Sequence, residues 1–444
     1  MRTQIHAVLK TVSQWHPLRL LVLGYGSYVV VTWILLSLPI CWESDQVSAV
    51  DNLFIATSAV STTGLASVNT PETYSFLGEL VILCAFQLGG LGYMTLGSFV
   101  ILSRKSQLSE VRSQVGSVAF SLPQGFDLRV FIFHVVTFTV MVEVAGTIGL
   151  YFVFRSTGMD SPLWPAIFHS VSAFCTAGFS VFPDGMEGFR GDVWVNLIIS
   201  VLSLLGAIGF LVWSDFWLTI TRQKSRVTLT SRIIVHMTAW SIFIGWVSLF
   251  LMEPSMQSLA VPERLIASGF QSMSALTTVG FNTHPIGSLH MASVLLVIVL
   301  MILGASPSGT GGGLKSTSVS AAFAVVWSVL RGRDRVTFWG TGIPDYRLHA
   351  AFAATVFYVV IFLIGSTLLM LIQSSAFEDL LFETASAIGT VGLSRGITGD
   401  LSPVAKLIVI VMMFIGRVGP LTLGLAFFAR GPHDDHEMID DLAV

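Results

Sequence analysis

The sequence predicts an all-α polytopic membrane protein: four pseudo-repeats, each a span, a pore half-helix and a second span, with eight transmembrane helices around one central pore. Three observations carry that prediction. Apolar residues make up 53% of the 444, the mean hydropathy is +0.78, and only 11% are charged, whereas a soluble domain carries roughly 25% charged residues. One twelve-residue phrase recurs four times. Each copy stands between two apolar runs of helix length.

The phrase reads Phe54-Ile-Ala-Thr-Ser-Ala-Val-Ser-Thr-Thr-Gly64-Leu65, then Phe168-His-Ser-Val-Ser-Ala-Phe-Cys-Thr-Ala-Gly178-Phe179. It returns as Phe270-Gln-Ser-Met-Ser-Ala-Leu-Thr-Thr-Val-Gly280-Phe281 and Phe382-Glu-Thr-Ala-Ser-Ala-Ile-Gly-Thr-Val-Gly392-Leu393. Every copy keeps Phe, Ser-Ala four residues on, Thr two before the Gly, and Gly ten after the Phe. The glycines recur at intervals of 114, 102 and 112 residues.

Apolar runs at about 18–40, 130–154, 233–252 and 350–372 precede the phrases, and runs at about 76–102, 193–220, 291–330 and 403–429 follow them. Twenty mostly apolar residues suffice to cross the hydrocarbon core as a helix. The phrase supplies only about 12 helical residues, roughly 18 Å at 1.5 Å per residue, so it is read as re-entrant. The run 18–40 is longer than a signal-peptide core and is needed as the first span of the first repeat. The chain divides into a cytoplasmic N-terminus 1–17, repeat 1 at 18–102, linker and repeat 2 at 103–220, and linker and repeat 3 at 221–330. Linker and repeat 4 follow at 331–430, with a cytoplasmic tail at 431–444.

Lys and Arg concentrate in the N-terminus, in the short segments 103–115, 221–232 and 331–348, and near the C-terminal end. Arg155, Arg190, Arg264, Arg395 and Lys406 fall on the other side. Basic residues mark the cytoplasmic side, so both termini are placed there, which an even number of spans requires. The net charge of −3 gives no sign of a nucleic-acid partner. Cys41, Cys84 and Cys175 have neither disulfide nor metal spacing.

Irregular backbone at membrane depth survives only where it lines a cavity or is buried in protein. A glycine after each half-helix permits φ > 0 and close approach to a ligand. The half-helix directs the negative end of its dipole there. Backbone carbonyls so placed substitute for the water shell of a cation. Close packing of helices on glycine is the competing reading, and four copies in register weigh against it. The filter candidates are Thr62, Thr63, Gly64 and Leu65; Thr176, Ala177, Gly178 and Phe179; Thr278, Val279, Gly280 and Phe281; and Thr390, Val391, Gly392 and Leu393.

Thr278-Val-Gly-Phe281 and Thr390-Val-Gly-Leu393 resemble shortened versions of the potassium-channel Thr-Val-Gly-Tyr-Gly filter, with one Gly in place of two. Four span–pore-loop–span units with a single filter Gly each resemble the Trk/Ktr/HKT superfamily of potassium transporters, from about residue 18 to 430. With eight spans and no extra N-terminal pair, the chain is most similar to the membrane subunit of bacterial Ktr systems. That resemblance implies K+ as the transported ion, bound through filter carbonyls, with Gly at all four positions favouring K+ over Na+. It further implies Na+ as an activator, a homodimer in the bacterial inner membrane, and a cytosolic nucleotide-binding RCK-type ring as partner, with no nucleotide bound by this chain.

The second spans carry a further repeated element: Gln87-Leu-Gly89-Gly-Leu-Gly92, Leu205-Gly206-Ala-Ile-Gly209, Leu303-Gly304-Ala-Ser-Pro307 and Ile415-Gly416-Arg-Val-Gly419-Pro420. Three are followed by apolar residues and are expected to continue as helix. The third runs into Ser306-Pro-Ser-Gly309-Thr310-Gly311-Gly312-Gly313-Leu314-Lys315, where five of the residues 307–313 are Gly or Pro. Such a stretch breaks a helix. A phosphate-binding loop needs Gly directly before its Lys, and Leu314 stands there. A passive kink is one remaining reading; a loop obstructing the pore below the filter is the favoured one.

Arg417 lies within an apolar span, where a charge is costly and normally faces an interior partner. It is expected to bind loop carbonyls or repel cations below the filter, with snorkelling to the intracellular end as the other reading. Lys315 is a secondary gate candidate, with the cytoplasmic interface as its other reading. Glu143, alone in its span, reads as a helix–helix or proton-path residue. Asp51, Glu72, Glu79, Asp160, Asp184, Glu187, Asp192, Glu378, Asp379 and Glu383 near the outer mouths could concentrate cations, although each singly reads as a solvated loop residue. His134, His169 and His236 lack metal spacing and read as satisfied core or interface groups. No nucleophile, base or metal constellation points to an enzyme. The competing class is a sodium- or proton-coupled secondary transporter, which usually pairs its helix breaks between two halves.

Overall fold

The computed structural model describes residues 17–43, 46–92, 128–222, 225–307, 309–333, 335–420 and 422–424. The N-terminus 1–16, the basic segment 103–115 and the tail 431–444 lie outside the described residues. So does the end of the run 76–102. The described chain is mostly helical. Its longer elements are, in order, α1 Pro17–Leu36, α2 Ala49–Val60, α3 Phe76–Leu91, α4 Leu128–Ser156, α5 Leu163–Phe174, α6 Val193–Ile208 and α7 Phe210–Ile220. Then come α8 Leu229–Met252, α9 Val261–Thr277, α10 Met291–Leu303, α11 Ser316–Leu330, a hairpin of β1 Thr337–Phe338 and β2 Thr341–Gly342, α12 Asp345–Ile372, α13 Phe377–Gly389 and α14 Pro403–Val418.

Residues 133–156 of α4, together with α8 and α12, are long and apolar enough to cross a membrane. α6 with residues 212–220 of α7 makes a fourth span if the bent pair is counted as one. These helices leave large apolar side chains such as Val144, Phe152, Ile244 and Leu363 exposed. A helix apolar on its outer face is solvated by lipid. Buried residues gather instead around the short helices: Ile55, Phe86 and Phe168 in one cluster, Ala275, Met301 and Phe382 in another.

Local chemistry fixes where the helices begin. Ser48 caps α2 by accepting from Asp51 N at 3.0 Å, and Asp192 caps α6 by accepting from Trp194 N and Val195 N at 2.9 Å. Pro262 and Pro403 sit in the first turns of α9 and α14, where a missing N–H costs nothing.

The helix ends correct one expectation. The second spans do not run straight past their glycines. α3 stops before Gly92 (φ 77°), α6 before Gly209 (φ 95°) and α14 before Gly419 (φ 89°). A positive φ is incompatible with continuing a right-handed helix, and glycine adopts it without steric penalty. At Gly209 the chain turns by 94° into α7. The third quarter is thus not alone in breaking. It differs in what fills the break, an extended loop from Gly304 to Lys315.

Candidate ion pathway

The short helices α2, α5, α9 and α13 end in one backbone form. Each is followed by a threonine with positive φ: Thr62 at 51°, Thr176 at 51°, Thr278 at 60° and Thr390 at 47°. Such values are uncommon outside glycine and cluster at functional sites. The residues after these threonines fold back: Thr63 N donates to Ser58 O at 2.8 Å, and Ala177 N to Ser172 O at 2.8 Å. Val279 N donates to Ser274 O at 3.2 Å, and Val391 N to Ser386 O at 2.9 Å. Gly64, Gly178, Gly280 and Gly392 follow with φ of 89°, 68°, 79° and 93°.

Those glycines close a ring. A Cβ placed on Gly64 would lie 2.4 Å from Ala177 O and 3.1 Å from Gly178 Cα. One on Gly178 would lie 2.4 Å from Val279 O, one on Gly280 2.1 Å from Val391 O, and one on Gly392 2.2 Å from Thr63 O. The order 64, 178, 280, 392 and back to 64 is cyclic. The carbonyl before each glycine abuts the glycine of a neighbouring quarter. Any side chain here meets backbone, which cannot yield. Leu65, Phe179, Phe281 and Leu393 turn their side chains into the buried core.

The recurring serine of the phrase has a task that periodicity alone does not reveal. Ser58 Oγ accepts from Gly64 N at 3.1 Å, and Ser386 Oγ from Gly392 N at 3.0 Å. Ser172 Oγ donates to Phe179 O at 2.9 Å, and Ser274 Oγ to Phe281 O at 2.5 Å. Every quarter therefore anchors its glycine turn to the preceding helix by one hydroxyl. The repeated span glycines also gain a role. A Cβ on Gly89, Gly206 or Gly416 would lie 1.9, 1.9 or 2.1 Å from the carbonyl oxygens of Val60, Phe174 and Ile388, respectively. They let the span lie directly against the end of the short helix.

The 304–315 loop meets all four threonines. Thr62 Oγ1 donates to Thr310 O at 3.4 Å, and Thr176 Oγ1 donates to Thr310 Oγ1 at 3.2 Å. Gly312 N donates to Thr278 Oγ1 at 3.1 Å, and a Cβ on Gly312 would lie 2.0 Å from Thr390 Oγ1. Thr310 is fully buried. Its Oγ1 donates to Phe174 O at 3.0 Å and its N to Gly206 O at 3.1 Å. Ala305 N donates to Gly312 O at 3.0 Å, which folds the loop on itself. Gly309 packs on Ala207 O and Gly311 against Thr278, while Gly313 takes a φ of 71° against Gly304.

Arg417 donates through Nη1 to Thr310 O and through Nη2 to Gly89 O at 2.6 Å and Gly90 O at 3.3 Å. It does not snorkel away. Lys315 does not reach the interface; its Nζ donates to Gly311 O at 2.8 Å. Among the described residues neither cation is in an ion pair. The Arg417 guanidinium and the Lys315 amine therefore both rest on backbone carbonyls of the loop beside the ring threonines.

Among the other residues named from the sequence, several carboxylates are paired where solvation was expected, and two histidines are satisfied as expected. Glu143 joins two helices, one of the readings its sequence left open: Gln87 Nε2 of α3 donates to it at 3.1 Å. Asp51 pairs with Lys406 at 2.7 Å and Asp379 with Arg395 at 2.5 Å, while Glu79 accepts from Trp164 Nε1 at 2.6 Å. These carboxylates, all on helices, tie α2 to α14, α13 to the segment after its glycine turn, and α3 to α5 instead of standing free in solvent. His169 and His236 are satisfied by Pro165 O and Arg232 O, each at 2.7 Å.

The sequence profile of the family described as TrkH, cation transport protein, matches residues 26–438. The chain belongs to the TrkH family. Its relatives include the Ktr system potassium uptake protein B of Vibrio alginolyticus, 33% identical over 410 residues, which are 91% of this chain and 90% of that protein. The protein of the same name from Bacillus subtilis is 31% identical over 432 residues, 96% of each chain. A solved TrkH-family structure, the potassium transporter TrkH from Vibrio parahaemolyticus, matches with a TM-score of 0.65 at 18% identity. That match covers 86% of this chain and 79% of the other, a likeness of fold. The TrkH-family chain is accordingly an integral membrane protein.

Proposed function

We propose that this chain is the potassium-translocating membrane subunit of a bacterial Ktr-type uptake system. The observation that carries this reading is the closed ring of Gly64, Gly178, Gly280 and Gly392, each abutted by a neighbour's carbonyl oxygen. A cation entering such a ring exchanges water for carbonyl oxygens, and the converging C-terminal ends of α2, α5, α9 and α13 favour positive charge. Four glycines leave the ring lined by backbone alone, which supports K+ as the ion carried. The names of the relatives support the same ion.

Below the ring, Thr310 and Gly312 fill the space between the four threonines, Arg417 adds positive charge, and Lys315 holds Gly311 O. This is the closed position of a gate. Opening requires Thr310 to leave Arg417. The energy for that comes from a cytosolic nucleotide-binding ring of RCK type acting on a homodimer, with both termini cytoplasmic and Na+ as activator. The chain itself binds no nucleotide.

The deciding experiment is K+ uptake by a transport-deficient bacterium expressing this chain with and without a candidate RCK partner. Rescue that grows stronger with the partner is expected. No rescue under either condition, with the protein present in the membrane, sinks the reading. Single-channel currents exclude the coupled-transporter alternative.

A further inference from the structure

The residue after the recurrent phenylalanine differs in every quarter: Ile55, His169, Gln271 and Glu383. All four are fully buried. The position two beyond each ring glycine holds Ala66, Ser180, Asn282 and Ser394. In two quarters these positions are joined by the same chain of hydrogen bonds.

In the second quarter, His169 Nδ1 lies 2.7 Å from Pro165 O. A carbonyl cannot donate, so Nδ1 carries the hydrogen, and in the neutral ring Nε2 accepts. Its donor is the Ser180 hydroxyl at 2.8 Å, whose oxygen in turn accepts from Phe182 N at 2.9 Å. In the fourth quarter, Ser394 Oγ donates to Glu383 Oε2 at 2.9 Å and accepts from Gly396 N at 3.0 Å. Thr398 Oγ1 donates to the other carboxylate oxygen. Each serine thus takes a backbone N–H two residues on and hands its own hydrogen to the short helix.

The first and third quarters lack this link. Ile55 and Ala66 are apolar. Asn282 turns away, donating to Glu187 Oε1 at 2.7 Å and to His284 O at 3.3 Å, and the Gln271 amide has no hydrogen-bond partner among the described residues. Around the cyclic ring, quarters two and four stand opposite one another. The polar clamps therefore lie on one diagonal.

We propose that His169 and Glu383 are positioning residues of the ion filter, holding opposite quarters of the ring open through Ser180 and Ser394. This rests on the filter reading above. Where the size of a carbonyl ring sets its preference for K+, clamps at opposite corners oppose its closure onto the smaller Na+. Neither residue touches the ion.

The test compares the K+ to Na+ uptake ratio in transport-deficient cells expressing S180A, S394A, S180T, S394T and G280S. Loss of either clamp hydroxyl leaves a buried group unpaired, and the ratio is expected to fall by about tenfold. The threonine variants keep a hydroxyl and are expected to keep the ratio. Should S394A not reach the membrane, E383M, which removes the carboxylate that accepts the Ser394 hydrogen at similar side-chain length, is expected to lower the ratio in the same way. Slower K+ uptake at an unchanged ratio, with G280S losing discrimination, overturns the clamp proposal and leaves the filter standing. An unchanged ratio in G280S as well overturns the filter reading itself.

Discussion

Arg417 donates its guanidinium to the backbone carbonyl of Thr310, 107 positions earlier in the chain. The same side chain holds Gly89 O and Gly90 O. One residue at the end of α14 thereby ties the interrupting loop of the third quarter to the end of α3. Thr310, in turn, touches Thr62 and Thr176. Under the gate proposed above, opening would require this arginine to release the loop.

Replacing Arg417 with Ala removes these bonds. Hydrogen bonds from a charged group contribute about 1.5–3 kcal/mol each, so the open position should gain population by at least about tenfold per bond lost. Faster maximal K+ uptake is expected from R417A and from deletion of 309–313. Flux measured in cells with matched expression checks this; unchanged or slower flux would falsify the gate.

The ring glycines tolerate no side chain. Gly280→Ser places its Cβ 2.1 Å from Val391 O at a φ of 79°. The ring must widen or twist, so K+ uptake falls and Na+ entry rises. Gly64→Ser, at 2.4 Å from Ala177 O, should act in the same direction and less severely. Competition of the two ions in uptake assays measures both, and retained discrimination would count against the ring as the filter.

Gly89→Ala addresses packing rather than permeation. Its Cβ would sit 1.9 Å from Val60 O, and overpacking of this kind costs about 1–3 kcal/mol. Lower thermal stability of the purified protein is the expected result. A variant as stable as the wild type would show that α3 can shift away from the end of α2.

The loops around His284 and Glu253 should weaken in acid. Burial, then the nearby Arg190, hold His284 below its ordinary value against the pull of Glu253. Burial alone would raise Glu253, but hydrogen bonds from Ser293, Ser255 and His290 outweigh it and hold the carboxyl below its usual range. Arg190 is itself paired with Glu263 at 3.0 Å. The fold favours a neutral His284, a preference present above the ordinary histidine value of about 6.5 and lost as pH falls below it. The Glu253 contribution, present above the ordinary carboxylate value, is lost as pH falls through its depressed one. Thermal unfolding of purified protein between pH 7.5 and 5.5 should show a falling midpoint, and His284→Gln should flatten that fall. A midpoint equally pH-dependent in the variant would remove His284 from the account.

Much of the pathway was legible because it is built from backbone conformations that few residues tolerate. Thr-x-Gly at the end of each short helix recurs because the ring needs left-handed turns and has no room for a Cβ. Arg417 was legible because a charge within an apolar span demands a partner. Other features left no such trace. The bond from Gln87 to Glu143 joins residues 56 apart and follows no period. The helix stops at Gly92, Gly209 and Gly419 were hidden because the residues beyond them are as apolar as a continuing helix.

The sequence by itself determined the four-fold phrase, the membrane setting and the special loop of the third quarter. These follow from hydropathy and from the backbone needs of Gly and Pro, both of which are local. Only the tertiary structure decided that Thr310 and Gly312 lie against all four threonines, that Lys315 folds back onto Gly311, and that serine clamps stand on one diagonal of the ring. Those outcomes depend on which quarter comes to lie beside which, and residues a hundred positions apart carry no mark of their meeting.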